Sequence, residues 1–329
     1  MNEKNILEVN DLCLSFFTDR GELPAVNHVS FNVEKGKTLG IVGESGCGKS
    51  MTSLCVIGLY PSPPGKIVGG EINFNGTDLT KLTKKEMRKI RGKGIAMIFQ
   101  EPMTSLNPVL TVGKQLMEGV MIHEKVSKEQ AKKRALEMIS LVGIPMPEKI
   151  FASCPHQLSG GMRQRIMIAM ALSCNPGLLI CDEPTTALDV TVQAQILELI
   201  NKLKVETGTS VMLITHDMGV INEMADKVLV MYAGQVVEHA ETETLFARSL
   251  HPYTEGLIKS IPRLDEDVEE LNVIDGSVPM LYELPEGCLF APRCPYAKGI
   301  CQSKRPDLVE AEPGHQVRCF KYQPGWEEE

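Results

Sequence analysis

The stretch Gly43-Glu-Ser-Gly-Cys-Gly-Lys49-Ser50 sets glycines, a lysine and a hydroxyl in the order G-x-x-x-x-G-K-[ST]. Residues of these types at this spacing can cradle a chain of phosphates. Glycines let successive backbone N–H groups turn toward one point, and a helix starting here aims its positive end at the same point. Gly43, Ser45, Gly46, Cys47, Gly48, Lys49, Ser50 and Met51 are therefore the candidate nucleotide contacts. Lys49 would neutralise the β- and γ-oxygens, and the Ser50 hydroxyl would ligate Mg²⁺. An ordinary glycine-rich turn would share the glycines, but not the strand before them and the helix after.

A cradle alone hydrolyses nothing. Leu178-Leu-Ile-Cys-Asp182-Glu183 adds an apolar run that ends in two acids. Neighbouring side chains of a strand point to opposite sides, so the two acids can take two roles. Asp182 is expected to hold Mg²⁺, directly or through water, and Glu183 to orient or deprotonate the attacking water. A third stretch is Leu158-Ser159-Gly160-Gly161-Met162-Arg163-Gln164-Arg165. Ser159 suits a helix N-cap, and Met162, Ile166, Ala169 and Met170 recur at helical spacing, so a helix starts here and stops before Pro176. Two glycines in its first turn cost about 1 kcal/mol each and call for a reason. A helix start without bulky side chains offers bare N–H groups to a second anion. Two anion sites with one acid pair suggest that both close on the same γ-phosphate from different subunits.

These residues need a scaffold. Residues 38–42, 95–99, 178–181 and 211–215 are short apolar runs of the kind that form buried parallel strands. Residues 6–16, 26–33 and 71–74 read as an antiparallel β layer, with a loop over 17–24. A helical insert is expected over about 101–175, with a strongly periodic stretch at 129–142, and residues 228–232 and 235–239 read as a hairpin around Ala233-Gly234. The Lys- and Arg-rich residues 81–93 read as one helix with a solvated face. Near Pro262 an acidic stretch, 265–270, precedes a tail rich in proline and cysteine. The expected fold is thus α/β: a P-loop NTPase core with an antiparallel β subdomain and a helical insert, followed by a small irregular cysteine-rich extension. The division is 1–262 and 263–329.

With 329 residues and 43% apolar content the chain can build its own core. A net charge of −8 argues against a broad nucleic-acid surface. No run reaches the roughly 18 apolar residues of a membrane span, and no basic-then-apolar leader opens the chain, so a cytoplasmic protein is expected. Seventeen methionines read mostly as adaptable core filler, with those near Met103 as a possible partner surface.

Taken together, these stretches resemble the ATP-binding cassette (ABC) family over residues 6–261. The resemblance implies roles for further residues. Gln100 matches the Q-loop, a catalytic residue that would hold Mg²⁺ together with Ser50 and Asp182 and link that site to the membrane partner. Thr186-Ala-Leu-Asp189 matches the D-loop that crosses the dimer, His216 the switch histidine at the γ-phosphate, and Phe16, with Phe17 beside it, the aromatic that stacks on adenine. In this family Ser159, Gly160, Gly161 and Gln164 of one subunit would face the ATP held by its partner. The runs QEPMTSLNP (100–108), CDEPTTALDV and HPYTEGL (251–257) look like the dipeptide/oligopeptide branch of importers. That resemblance implies a second ATPase subunit, usually a different chain, two membrane permeases and an extracellular binding protein, with this chain on the inner face of the membrane. Importers of nickel or oligosaccharides are related, and soluble ABC ATPases of DNA repair or translation share the same chemistry.

Four of the ten cysteines fall in the tail: Cys288, Cys294, Cys301 and Cys319. Soft thiols clustered in a reducing compartment favour a metal centre, though their spacing does not choose the metal. The resemblance implies a [4Fe–4S] cluster ahead of Zn²⁺, in a structural role. The other six cysteines read as small core or loop residues. The HPY run has no purpose legible from its residues beyond packing the tail onto the cassette.

Overall fold

The computed structural model describes residues 3–100, 105–186, 189–261, 273–324 and 326. Twelve strands, numbered in chain order, form two sheets. In the smaller, β1 (Asn5–Thr18) lies between β2 (Gly21–Glu34) and β4 (Gly65–Phe74), with the short β5 (Thr77–Asp78) at the edge. All its pairings are antiparallel, as expected. The expected loop over 17–24 is instead strand: β1 and β2 pair as far as Thr18 opposite Gly21, leaving only Asp19 and Arg20 to turn. Polar residues at an exposed hairpin end carry no apolar alternation, so backbone pairing there leaves little trace in the sequence.

The larger sheet contains β3 (Thr38–Val42), β6 (Ile95–Ile98), β7 (Leu178–Asp182), β8 (Ser210–Thr215), β9 (Lys227–Tyr232), β10 (Gln235–Glu241), β11 (Val309–Glu312) and β12 (His315–Val317), in the order β11-β12-β10-β9-β3-β8-β7-β6. From β9 to β6 the strands run parallel. Every residue of β3, β7 and β8 is buried, which is why these segments read as unbroken apolar runs. Parallel strands end at one edge, so the loops after β3, β6, β7 and β8 gather there.

Helices Val112–Glu124, Lys128–Leu141, Pro147–Ala152 and Gly160–Leu172 form the insert. Ser127 and Gln130 close a capping box at the start of the second, and Leu116, Val120, Ala131, Ala135, Met138 and Ile166 share one core with β6, β7 and β8. Residues 101–104, with Met103, lie outside the described residues. The basic stretch 81–93 is a shorter helix than expected, Lys84–Ile90, opened by a Thr83–Glu86 capping box and anchored by buried Met87 while its Lys and Arg side chains face solvent.

The carboxy-terminal extension departs from the irregular tail expected. Its strands β11 and β12 prolong the main sheet, β12 pairing with β10 through Glu238 opposite Val317. Leu289 and Phe290 join the core beneath β9 and β10, where Phe290 meets Tyr232 edge-on with ring centroids 5.2 Å apart. A polar staple reinforces this seam. The fully buried Glu238 carboxylate accepts from the Leu250 and His251 amides at 2.6 and 3.0 Å and from His315 Nε2 at 2.7 Å. The His251 of the HPY run also caps helix Pro252–Lys259, its Nδ1 accepting from the Tyr253 amide.

Candidate active site

β3 ends at Val42, and the loop turns at once into helix Lys49–Ile57. Gly46 and Gly48 take φ values of 81° and 98°, which other residues rarely adopt. A Cβ on Gly48 would also stand 2.9 Å from the Ala25 carbonyl oxygen. No side chain caps the helix, so its first amides stay available to an anion. Buried Lys49 bends back over the loop, donating to the Gly43 and Glu44 carbonyl oxygens at 2.6 and 2.9 Å. Cys47 Sγ lies beneath that amine at 3.8 Å, and burial pushes its thiol up, so it stays protonated. Met51 packs into the core under the helix, while Ser45 and Gly46 are exposed at the loop's crest.

Ser50 Oγ donates to Asp182 Oδ1 at 2.9 Å. Burial raises the Asp182 carboxyl above its usual range and Glu183 adds to this, against the opposing pull of Ser50 and Lys49. A hydroxyl and a buried carboxylate that needs a cation to stay ionised fit Mg²⁺, a hard ion taking oxygen ligands.

Glu183 is the hub of the edge. Its backbone sits at φ +45°, a conformation that costs a non-glycine residue about 1–3 kcal/mol and marks sites where function sets geometry. Its amide is tied to the Ile214 carbonyl on β8 at 2.9 Å. Its carboxylate accepts from Gln100 Nε2 and Thr186 Oγ1, each at 2.9 Å, and lies 3.4 Å from His216 Nδ1. Burial alone would raise its pKa, but the bonds from Thr186 and His216 outweigh it and hold the group below the usual carboxylate range. An ionised acceptor with three polar neighbours at the mouth of the sheet can take a proton from water.

The structure thus gathers Gln100, Asp182, Glu183, His216, Lys49 and Ser50 from four strands separated in sequence. Thr186, read from the sequence only as the start of the D-loop, also joins this cluster, three residues after Glu183 and within hydrogen-bonding reach of it across a turn. The glycine-led helix is as expected: Ser159 Oγ accepts from the Met162 amide, and Gly160 faces open space, since a Cβ there would meet nothing within 4 Å. Gln164 differs. Expected at the partner-facing surface, it is 1% exposed and donates to the Pro184 carbonyl oxygen, tying this helix to the turn after Glu183. One helical turn past Gly160 it lies on the same face but further in, where the turn at Pro184 covers it. Asp189 caps helix Val190–Thr207 through the Val192 amide, while Ala187 and Leu188 of the same run lie outside the described residues. Of the two aromatic candidates, Phe16 is half-buried against Gly65 and Phe17 is exposed.

All ten cysteines are free thiols. Cys288, Cys294, Cys301 and Cys319 line one small cavity with Phe290, Phe320 and Trp326. Burial, reinforced by the neighbouring cysteines, pushes Cys288 and Cys319 up to about 11. Among the described residues no three or more His, Cys, Asp or Glu side chains are grouped closely enough to hold a single metal ion. The other six cysteines are dispersed through the cores and loops.

A phosphate-cradling loop after β3, an acid pair at the end of β7 and a histidine after β8, the strand between them, all at one edge of a parallel sheet, define a nucleoside-triphosphatase cassette. Comparison with known proteins narrows this. The family model described as "ABC transporter" matches residues 26–186, and that described as "Oligopeptide/dipeptide transporter, C-terminal region" matches residues 237–301. The chain is 54% identical over 318 residues to the oligopeptide transport ATP-binding protein AppD of Bacillus subtilis (strain 168), covering 97% of each chain. It is 52% identical to the dipeptide transport ATP-binding protein DppD of the same organism, covering 96% of this chain and 95% of that one. Among solved structures it is similar to the dimeric ATP-binding cassette MJ0796 in a post-hydrolysis state with ADP and Pi, with a TM-score of 0.64 and 28% identity over 72% of this chain and 98% of that one. The chain belongs to the ABC transporter family, as an ATP-binding subunit whose reaction is ATP hydrolysis. No helix among the described residues is long and apolar enough to cross a membrane.

Proposed function

We propose that this chain is the ATPase of an importer for oligopeptides or dipeptides, acting on the inner face of the membrane beneath two permease subunits. The observation that carries the reading is similarity at 52–54% identity along nearly the whole chain, carboxy-terminal region included, to proteins named for that transport. ATP would lie with its phosphates over residues 43–50 and its adenine against Phe16 or Phe17. Lys49 neutralises the β- and γ-oxygens, Ser50 and Asp182 hold Mg²⁺, and Glu183 takes the proton of the attacking water with Gln100, Thr186 and His216 fixing its orientation. Mg²⁺, when bound, supplies charge neutralisation across the β- and γ-phosphates. Ser159, Gly160 and Gly161 would cap the γ-phosphate held by a second cassette, a related but different chain. Closing two cassettes on two ATP molecules excludes water and adds contacts only in the loaded state, so binding energy becomes motion of the permeases.

Reconstitution with the two permeases and the binding protein in proteoliposomes tests the cargo. ATP-dependent uptake of labelled di- to pentapeptides is expected, and uptake confined to nickel or to oligosaccharides would replace the peptide reading.

The tail, taken as a unit over 263–329, is assigned a [4Fe–4S] centre on Cys288, Cys294, Cys301 and Cys319. Four soft thiols around one apolar-walled cavity suit it. The family resemblance favours such a cluster over Zn²⁺. When bound, it would cross-link a segment whose secondary structure is short and whose own core is small. Anaerobically purified protein is expected to be brown, and Cys294→Ser to remove the colour. A colourless protein with stoichiometric zinc would overturn the cluster.

A further inference from the structure

Glu44, the second residue of the phosphate-binding loop, is held on every side. Its carbonyl oxygen accepts from Lys49 at 2.9 Å, its amide donates to the Tyr253 hydroxyl at 2.8 Å, and its carboxylate receives a two-pronged grip from Arg293 at 2.6 and 3.0 Å. The last two partners lie outside the cassette's catalytic edge. Tyr253 belongs to the HPY run and is fully buried, and Arg293 comes from the cysteine-rich extension, 249 residues away in the chain.

Arg293 is built for the purpose. Its side chain is 5% exposed. It lies alongside the Tyr232 and Phe290 rings, and the remaining donors go to the Asp275 and Ile274 carbonyl oxygens at 2.7 and 3.0 Å. Its backbone closes a short turn between Cys288 and Cys294, its own amide donating to the Phe290 carbonyl oxygen at 3.0 Å. A bidentate pair between a buried guanidinium, its last donor directed at the Tyr232 hydroxyl at 3.5 Å, and a half-buried carboxylate is rigid, and removing Glu44 leaves the buried Arg293 charge uncompensated.

We propose that Arg293 and Tyr253 are positioning residues of the nucleotide site: the carboxy-terminal extension holds Glu44, and through it Lys49 and the phosphate loop, in the shape that receives ATP. The cysteine-lined segment is then a working part of the ATP site. Neither residue touches the phosphates, so the effect falls on nucleotide affinity, while the acid pair and His216 keep their geometry.

The inference rests on residues 43–50 being the ATP site. The test uses the full-length protein, a fluorescent ATP analogue with Mg²⁺, and steady-state phosphate release. Glu44→Gln and Arg293→Met are each expected to weaken nucleotide binding and raise KM by about tenfold, with kcat at saturation changed less than twofold, the size of one charge-assisted contact. The double variant should be no worse than the poorer single one, because both remove the same contact. Arg293→Lys should recover only part of the loss, since an ammonium keeps the charge but not the fork. Glu44→Gln leaves the extension untouched, so it reports even where Arg293→Met fails to fold. Wild-type affinity and KM in Glu44→Gln, or single effects that add in the double variant, would overturn the inference. A wild-type protein that binds no Mg²⁺-ATP would remove the nucleotide-site reading and the inference with it.

Discussion

Glu183→Gln is expected to lower ATP hydrolysis by about two to three orders of magnitude, the range measured for loss of a general base, while nucleotide affinity stays within about twofold of wild type. Glutamine has the shape of glutamate and can still accept from Gln100 and Thr186, the neighbours that now hold the carboxylate at 2.9 Å. What it loses is the ability to accept a proton. Lys49 and Ser50 do not bond to Glu183, so the cradle keeps its form. ATP bound but not cleaved should trap this chain paired with its partner cassette, seen as a shift to dimer by gel filtration of the two subunits together with ATP. Equal phosphate release by wild type and variant would remove Glu183 from the catalytic role.

Gly160→Asp should separate the folding of this subunit from its work. Gly160 is the first residue of its helix, a Cβ there meets nothing within 4 Å, and the first turn holds no acidic residue. An aspartate at that place suits the helix: it replaces a poor helix former and complements the positive end, a gain of about 0.3–1 kcal/mol. The same carboxylate would stand where a partner's γ-phosphate is proposed to dock, and two anions repel in a site from which water is excluded. The expected result is an unchanged or raised melting temperature with at least about a hundredfold fall in ATPase, a cost typical of a lost preorganised anion contact. Undiminished hydrolysis would mean that this helix start meets no phosphate. Gly161 would not give so clean an answer, because its Cβ would press on Val192 at 3.1 Å.

The catalytic edge was legible because each of its parts is local. A buried parallel strand is an unbroken apolar run, and the residues that follow it, Gly43, Gln100, Glu183 and His216, carry their chemistry in their types. That these four loops share one edge follows once the strands are parallel. What escaped reading depends on contacts between distant segments. The pairing of β12 with β10 adds a strand of three residues, too short to show a periodicity. Gln164 shares a motif and a helix face with Gly160, yet the distant turn at Pro184 packs over it and buries it. Nothing in the run HPY shows that its tyrosine reaches Glu44, and nothing around Arg293 shows which carboxylate it meets. Phe16 and Phe17 are neighbours in a polar hairpin, and their types alone do not separate them.

The shared sheet has a consequence for how the chain is completed. With β11 and β12 in place, β10 is an interior strand; before residues 309–317 leave the ribosome, its open side is a row of unsatisfied amides and carbonyls beside a core already closing. Nascent or clipped chains lacking those last strands would therefore present a sticky seam to one another, and the tail is the hem that closes this seam once the chain is finished.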